Sequence, residues 1–198
     1  MEVTIVVATF GAERWRDLAA ARAIPSALAQ EVPVVAIHGG DSIADARNAA
    51  LQLVETEWMI HLDADDELEA GYVEALRRVQ TGDLLAPSIR TVVDGIPGEV
   101  ESLAARNMDT LNPCVIGTAV RRSAIEAVGG WLDERAWEDW SLFRRIWWTG
   151  GIVVHVPDAV YRIHVDPTGR NSTVPDPVSL HRQIRRDHRR RLGPRVAR

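Results

Sequence analysis

One stretch of this chain restricts its fold more than any other. Trp58 to Leu62 is an almost wholly apolar block, and Asp63, Asp65 and Asp66 follow it within four positions. A block this short suits a buried strand better than a helix. The carboxylates cannot follow it into a core without being paired or desolvated, so the strand must end at a sheet edge. In open α/β sheets that edge is where ligands bind. A hard divalent cation prefers such oxygen ligands and shares them with phosphate. The plainer alternative is a solvated turn whose acidic residues cap the next helix.

The flanking sequence shows what kind of sheet receives this strand. Glu2 to Ala8 is β-branched and nearly all apolar, as in a parallel strand buried on both faces. Arg14 to Ala29 has loose helical spacing, with Pro25 expected to kink or end it. Val32 to Ile37 reads as a second buried strand, ended by His38-Gly39-Gly40-Asp41. Ser42 has the position of an N-cap with Asp45 three residues on. Ile43, Ala46, Ala50, Leu53 and Val54 share one face, so a helix is expected over 42–55. Helix is also expected over 68–80, and strands over 83–87 and 89–93. Asp94-Gly95 with Pro97-Gly98 is a hairpin-turn signal. A strand over 113–120, in which Gly117 allows close approach, precedes a short helix over 121–128 that ends at Gly129-Gly130. Glu138 and Asp139 open a helix that closes at Gly150-Gly151, and two strands follow at 152–156 and 159–164. The expected fold is α/β, a parallel sheet with a mixed second half.

Composition excludes several classes. The 198 residues are 46% apolar and 26% charged, ordinary for one globular domain. Cys114 is the only cysteine, so neither an intrachain disulfide nor a cysteine-rich metal site is available. No apolar run has the ~20 residues of a bilayer span, and no basic-then-apolar leader opens the chain. The expected location is cytoplasmic, with peripheral contact at a membrane as the variant. All 23 basic residues are arginine. Charge is uneven: residues 180–198 hold eight arginines against Asp187, for +7, whereas the rest holds 15 arginines against 27 acids, for −12. Such a tail, expected to be helical over 178–192, meets something anionic or folds back on the acidic body. It is otherwise a solvated basic helix; an anionic lipid surface, nucleic acid and an acidic protein are the alternative partners.

Four features carry chemistry. Asp63, Asp65 and Asp66 can hold a metal, and Arg47, early in its helix and set against the helix dipole, can meet phosphate. Glu138-Asp139 is a second acidic pair, and His164 can serve as metal ligand or phosphate contact. Each has a commoner structural reading: a solvated turn, a surface ion pair, a helix cap, a core histidine.

Five motifs in order resemble those of the family 2 glycosyltransferases, which have the nucleotide-sugar-binding GT-A fold. They are Val3 to Phe10, Ala46-Arg47-Asn48, Leu62-Asp63-Ala64-Asp65-Asp66 (a DXD-type signature), Val128 to Glu134 with Glu138-Asp139-Trp140, and Tyr161-Arg162-Ile163-His164. The resemblance covers about residues 2–172. It implies a single-domain, GT-A-like, Rossmann-type mixed sheet flanked by helices over 1–175, with a basic tail over 176–198. It further implies metal-dependent, inverting transfer of a sugar from a nucleotide diphospho-sugar to an acceptor hydroxyl, with Mn²⁺ or Mg²⁺ on the diphosphate. UDP-sugar is favoured over GDP-sugar.

Carried over by position, Thr9, Glu13, Arg47 and Asp63 contact the nucleotide or diphosphate, and Asp65 leads the metal ligands with Asp66 and His164. Asp139 is the base, supported by Glu138. One departure concerns base recognition. The family pattern has two aspartates and Gly-Ser after the second strand; here His38 to Ser42 stand there, with Asp41 as the candidate. The segment that follows is shorter by a helix and a strand. The competing functions are a nucleotidyltransferase or nucleotide-sugar hydrolase, and a sugar-nucleotide-binding protein that has lost catalysis. Trp131, Trp137, Trp140, Trp147 and Trp148 are candidate sugar platforms, although core packing is the commoner use of such residues.

Overall fold

The computed structural model describes residues 1–79, 81–166 and 173–196. Its first strand, β1 (Val3–Thr9), is buried at all seven positions. The absence of polar alternation is what a central parallel strand requires, because both faces are covered. On one side lies β2 (Val34–His38) and on the other β3 (Trp58–His61), both parallel to it. β2 was expected to be buried but is half-buried. It is the edge of the sheet, with a neighbour on one side only.

The helix expected over 14–29 is two helices, α1 (Arg14–Ala21) and α2 (Ala23–Leu28), broken at Arg22. Pro25 explains the position of the break. Its ring would collide with the carbonyl four residues back, at Ala21, and it is tolerated in the first turn of a new helix, where no N–H is needed. α3 (Ile43–Leu51) begins as the sequence indicates: Ser42 Oγ accepts from the Asp45 N–H at 3.1 Å. It ends early, leaving Leu53 exposed while Val54 is buried.

Beyond the acidic stretch the expected helix over 68–80 is mostly absent. β4 (Glu67–Leu68) pairs with a late strand, and only α4 (Tyr72–Arg77), entered through left-handed Gly71, is helical; residue 80 lies outside the described residues. The two strands expected over 83–93 are one, β5 (Leu84–Val93), which absorbs Pro87 through a register shift against its neighbour. Asp94 and Gly95 both have positive φ, the geometry of a tight hairpin turn, whereas Pro97-Gly98, expected in the turn, belong to the strand that follows, β6 (Ile96–Glu101), which pairs with β5. β7 (Ala119–Arg121) is shorter than expected, and α5 (Arg122–Ala127) stops at Gly129-Gly130, both with positive φ. α6 (Glu138–Trp148) begins and ends as expected. The last two expected strands are one, β8 (Val153–His164), parallel to β5. α7 (Pro177–Leu192) covers the predicted tail helix.

The sheet order is β2-β1-β3-β7-β5-β8-β4, with β6 on β5. β7 runs antiparallel to both β3 and β5, so the sheet is mixed, as expected, with helices flanking it. β1, β3 and β8 all point the same way, and their C-terminal ends place Thr9, Asp63 and His164 along one edge. Among the described residues no helix is long and apolar enough to cross a membrane.

Candidate active site

At that edge lies a cavity of about 580 Å³ whose lining includes Thr9, Arg47, Asp63, Asp65, Asp66, Glu138 and His164. Seven of the ten residues singled out in the sequence are therefore together. Glu13, Asp41 and Asp139 are not in its lining. Glu13 is exposed and pairs with Arg16 at 2.6 Å. Asp41 is exposed at the end of the β2–α3 loop. Asp139 stands half-buried on the first turn of α6, its carboxylate accepting from Asn112 Nδ2 at 2.9 Å.

The centre of the site is Arg47. The dipole-opposed arginine of α3 is buried, and its guanidinium donates to Asp63 Oδ1 at 2.7 Å and to Glu138 Oε1 at 2.9 Å. Burial alone would weaken its charge. Asp63, Glu138 and Asp139 together outweigh burial and raise its pKa above the ordinary value. Its other face lies 4.5 Å from the Trp131 ring. Trp131 is held by the next residue of the same motif: Asn48 Nδ2 donates to its carbonyl at 3.0 Å, and its N–H donates to Asn48 Oδ1 at 2.8 Å. A Cβ on Gly130 would sit 2.5 Å from Asn48 Oδ1, so glycine is required for this approach. The Ala-Arg-Asn and Gly-Gly-Trp motifs, 83 residues apart, thus interlock.

The acidic loop has its own support. Ligand oxygens of Asp63, Asp65 and Asp66 lie within 4.8 Å of one another. Asp66 is engaged by the protein on both oxygens, accepting from the Tyr161 hydroxyl at 3.0 Å and the His164 N–H at 2.9 Å. Tyr161 reaches the loop because Gly117 leaves room; a Cβ there would be 2.1 Å from its ring. The Asp65 carbonyl accepts from Arg22 Nη1 at 2.6 Å. Burial, then the charge of Asp63, pushes the Asp65 carboxyl up to about 6, and the same causes with Asp65 raise Asp66 well above the usual carboxylate range. Clustered carboxylates that resist losing their protons are what a bound cation would relieve. The His164 ring is not part of the trio: its Nε2 lies 2.7 Å from Glu67 Oε2. The Asp139 carboxyl is pushed up to about 7, by burial first and then by Glu138.

Of the two uses open to the tryptophans, the structure favours core packing over sugar platforms. None of the five tryptophans proposed as platforms lines the cavity; Trp131, Trp140 and Trp148 are buried in the protein. Phe10 and Trp15 line it instead, with Arg14 stacked on Trp15 at 4.8 Å. Trp15 falls at helical spacing with Leu18 and Ala19, which disguised it as core. Arg22 and Asn112 were also missed, and Tyr161, quoted within the closing motif, was given no role. The only signal for the first two was position, beside a helix break and in a polar loop.

No family model and no curated protein matches the sequence. Solved structures do. S. aureus TarS residues 1–349 in complex with UDP-GlcNAc superposes with a TM-score of 0.70 at 12% identity, over 95% of this chain and 65% of that one. The complex of the same fragment with UDP gives 0.65 at 15% identity, over 95% and 70%, and the uncomplexed fragment 0.61 at 13%, over 98% and 73%. This chain therefore spans about two thirds of the length of the first of these structures. At such identities the likeness is one of architecture alone, and the chain has a GT-A-type fold.

Proposed function

We propose that this chain is a glycosyltransferase that takes a nucleotide diphospho-sugar, a UDP-sugar first, and passes the sugar to an acceptor hydroxyl with inversion. The observation that carries the reading is the Arg47 bridge. It ties the acidic loop after β3 to Glu138 on the cavity wall, so the donor-binding loop and the residue next to the proposed base are held by one side chain. The UDP-GlcNAc and UDP complexes of the structural neighbour support the choice of donor.

Thr9, Arg47 and Asp63 are assigned to the nucleotide and diphosphate. Asp65 is the leading ligand for Mn²⁺ or Mg²⁺, because Asp66 already accepts two hydrogen bonds from the protein. When bound, such an ion neutralises charge developing on the leaving diphosphate. Asp139 removes the acceptor hydroxyl proton as that oxygen attacks the anomeric carbon on the face opposite the leaving group. A carboxyl held near neutrality suits the task, since proton transfer is most efficient when the base pKa lies near the working pH. Glu138 is held by Arg47 and keeps the turn in place. A binding-only function is the second reading, favoured by the absence of Asp139 from the cavity lining.

Calorimetric titration of UDP, GDP, dTDP and CMP, with Mn²⁺ and with EDTA, tests the donor half. Metal-dependent binding of UDP that is lost in Asp65→Ala is expected. Binding unchanged by EDTA or by this substitution removes Asp65 and the metal from the proposal, and no nucleotide binding refutes it.

A further inference from the structure

The two residues on either side of Glu138-Asp139 are both tryptophans, and both touch the same histidine of the C-terminal helix. The His181 ring lies edge-on to Trp137, with centroids 4.3 Å apart, and tilted on Trp140 at 4.6 Å. Trp137 is the residue from which α6 starts, and its φ of 56° and ψ of 37° put a bulky residue in the left-handed region. Such a conformation persists only where its surroundings hold it. Trp137 also provides no side-chain cap for α6, so side-chain capping does not stabilise the turn.

α7 is seated firmly enough to provide that hold. Asp176 caps it by accepting from the Ser179 N–H at 3.0 Å. Ile184 and His188 are buried against the body. Arg144 Nη1 donates to His188 Nδ1 at 3.0 Å, so the ring proton sits on Nε2 and faces Ser141 Oγ at 3.1 Å. Ser141 in turn donates to Glu134 at 3.0 Å. The two helices run alongside in the same direction, His181 meeting Trp137 near the start of α6 and Gly193 accepting from Trp148 Nε1 at its end.

We propose that His181 is a positioning residue for the base: by clamping the indoles that flank Glu138-Asp139, it fixes the direction in which the Asp139 carboxylate meets the acceptor. The inference rests on Asp139 being the base. It gives the C-terminal helix a part in the reaction that its basic composition does not reveal, because the working contact is on the inner face.

The test compares His181→Ala and His181→Phe, each alone and combined with Asp139→Asn, using UDP release from UDP-GlcNAc and calorimetric UDP affinity. In His181→Ala, UDP affinity stays within twofold while release falls tenfold or more. In His181→Phe, which keeps a ring between the indoles, release recovers to within threefold. In the Asp139→Asn background His181→Ala causes no further loss, because residues acting through one another are not additive. Normal release by His181→Ala, or the same fractional loss in both backgrounds, overturns the proposal. Asp139→Asn at the wild-type rate instead refutes the base assignment on which it depends. Amide exchange over residues 138–142 decides without turnover: it quickens at least tenfold in His181→Ala, and unchanged exchange overturns the clamp whatever the donor proves to be.

Discussion

Replacing Arg47 by methionine tests the centre of the site on energetic grounds. The guanidinium is 3% exposed and has two carboxylate partners in unlike settings: the Glu138 side chain is 7% exposed and that of Asp63 39%. Loss of the Asp63 contact counts for little, since water screens the freed charge, about 0–1 kcal/mol. Loss of the Glu138 contact dominates. It leaves a carboxylate buried without its main counter-charge, for which about 3–5 kcal/mol is typical. The contact with Trp131 adds on the order of 1 kcal/mol. The expected loss is thus about 5 kcal/mol at pH 7, or roughly 15 °C in Tm for a chain of this size. Urea unfolding followed by circular dichroism measures it. Because the cost lies in the Glu138 charge, Arg47→Met with Glu138→Gln should regain at least half of the stability. A single variant that loses under about 1 kcal/mol, or a double variant no better than the single, refutes the argument that Arg47 is held by a buried pair.

Three further outcomes are expected. Asp139→Asn should lower the rate of sugar transfer about 10²–10⁴-fold while nucleotide affinity stays within twofold; in the wild type the rate should rise with pH through about 7 as the Asp139 carboxyl ionises, and a flat pH–rate profile would count against it. His188 is held neutral, its pKa lowered to about 3 by burial and then by the arginines beside it, from 6.5 when unfolded. Its contribution is complete above pH 6.5 and is lost as pH falls towards 3, where the unfolded chain binds the extra proton, with a slope of up to about 1.4 kcal/mol per pH unit; His188→Gln should flatten denaturation midpoints over pH 6–4, and an unaltered slope would dismiss the assignment. Gly117→Ala should cost about 1–3 kcal/mol by overpacking and loosen Tyr161 from Asp66, read as a lower Tm together with weaker UDP binding; neutral behaviour in both would show that the ring can move aside freely.

Some of this architecture is readable locally because its causes are local. The Ser42–Asp45 cap, the Asp94-Gly95 turn and the Gly129-Gly130 stop each depend on a few adjacent residues. Other elements were misjudged because a distant partner overrode local preference. Residues 67–68 became a strand through pairing with Tyr161 and Arg162, more than 90 positions away. Pro87 and the 156–159 segment interrupt two strands in sequence, yet β5 and β8 run through them because each supports the other across a register shift. At the site, residue type was enough to nominate Arg47, Asp63, Asp65, Asp66 and Glu138, since few side chains can hold a cation or meet a phosphate. Trp15 was not nominated, because a tryptophan at helical spacing looks the same whether its ring faces core or cavity.

The sequence by itself determined that the chain alternates buried strands with helices, that a strand ends in carboxylates at a sheet edge, and that a second carboxylate pair opens a later helix. These follow from apolar periodicity and from the cost of burying charge, both set by neighbours in the chain. Only the tertiary structure decided that Arg47 joins those two acidic groups across 16 and 91 positions, that Asn48 locks to Trp131, and that the basic tail returns its inner face to the turn beside Asp139. Each of these is a contact between groups far apart in sequence, and its geometry exists only once the sheet has set the distance between them.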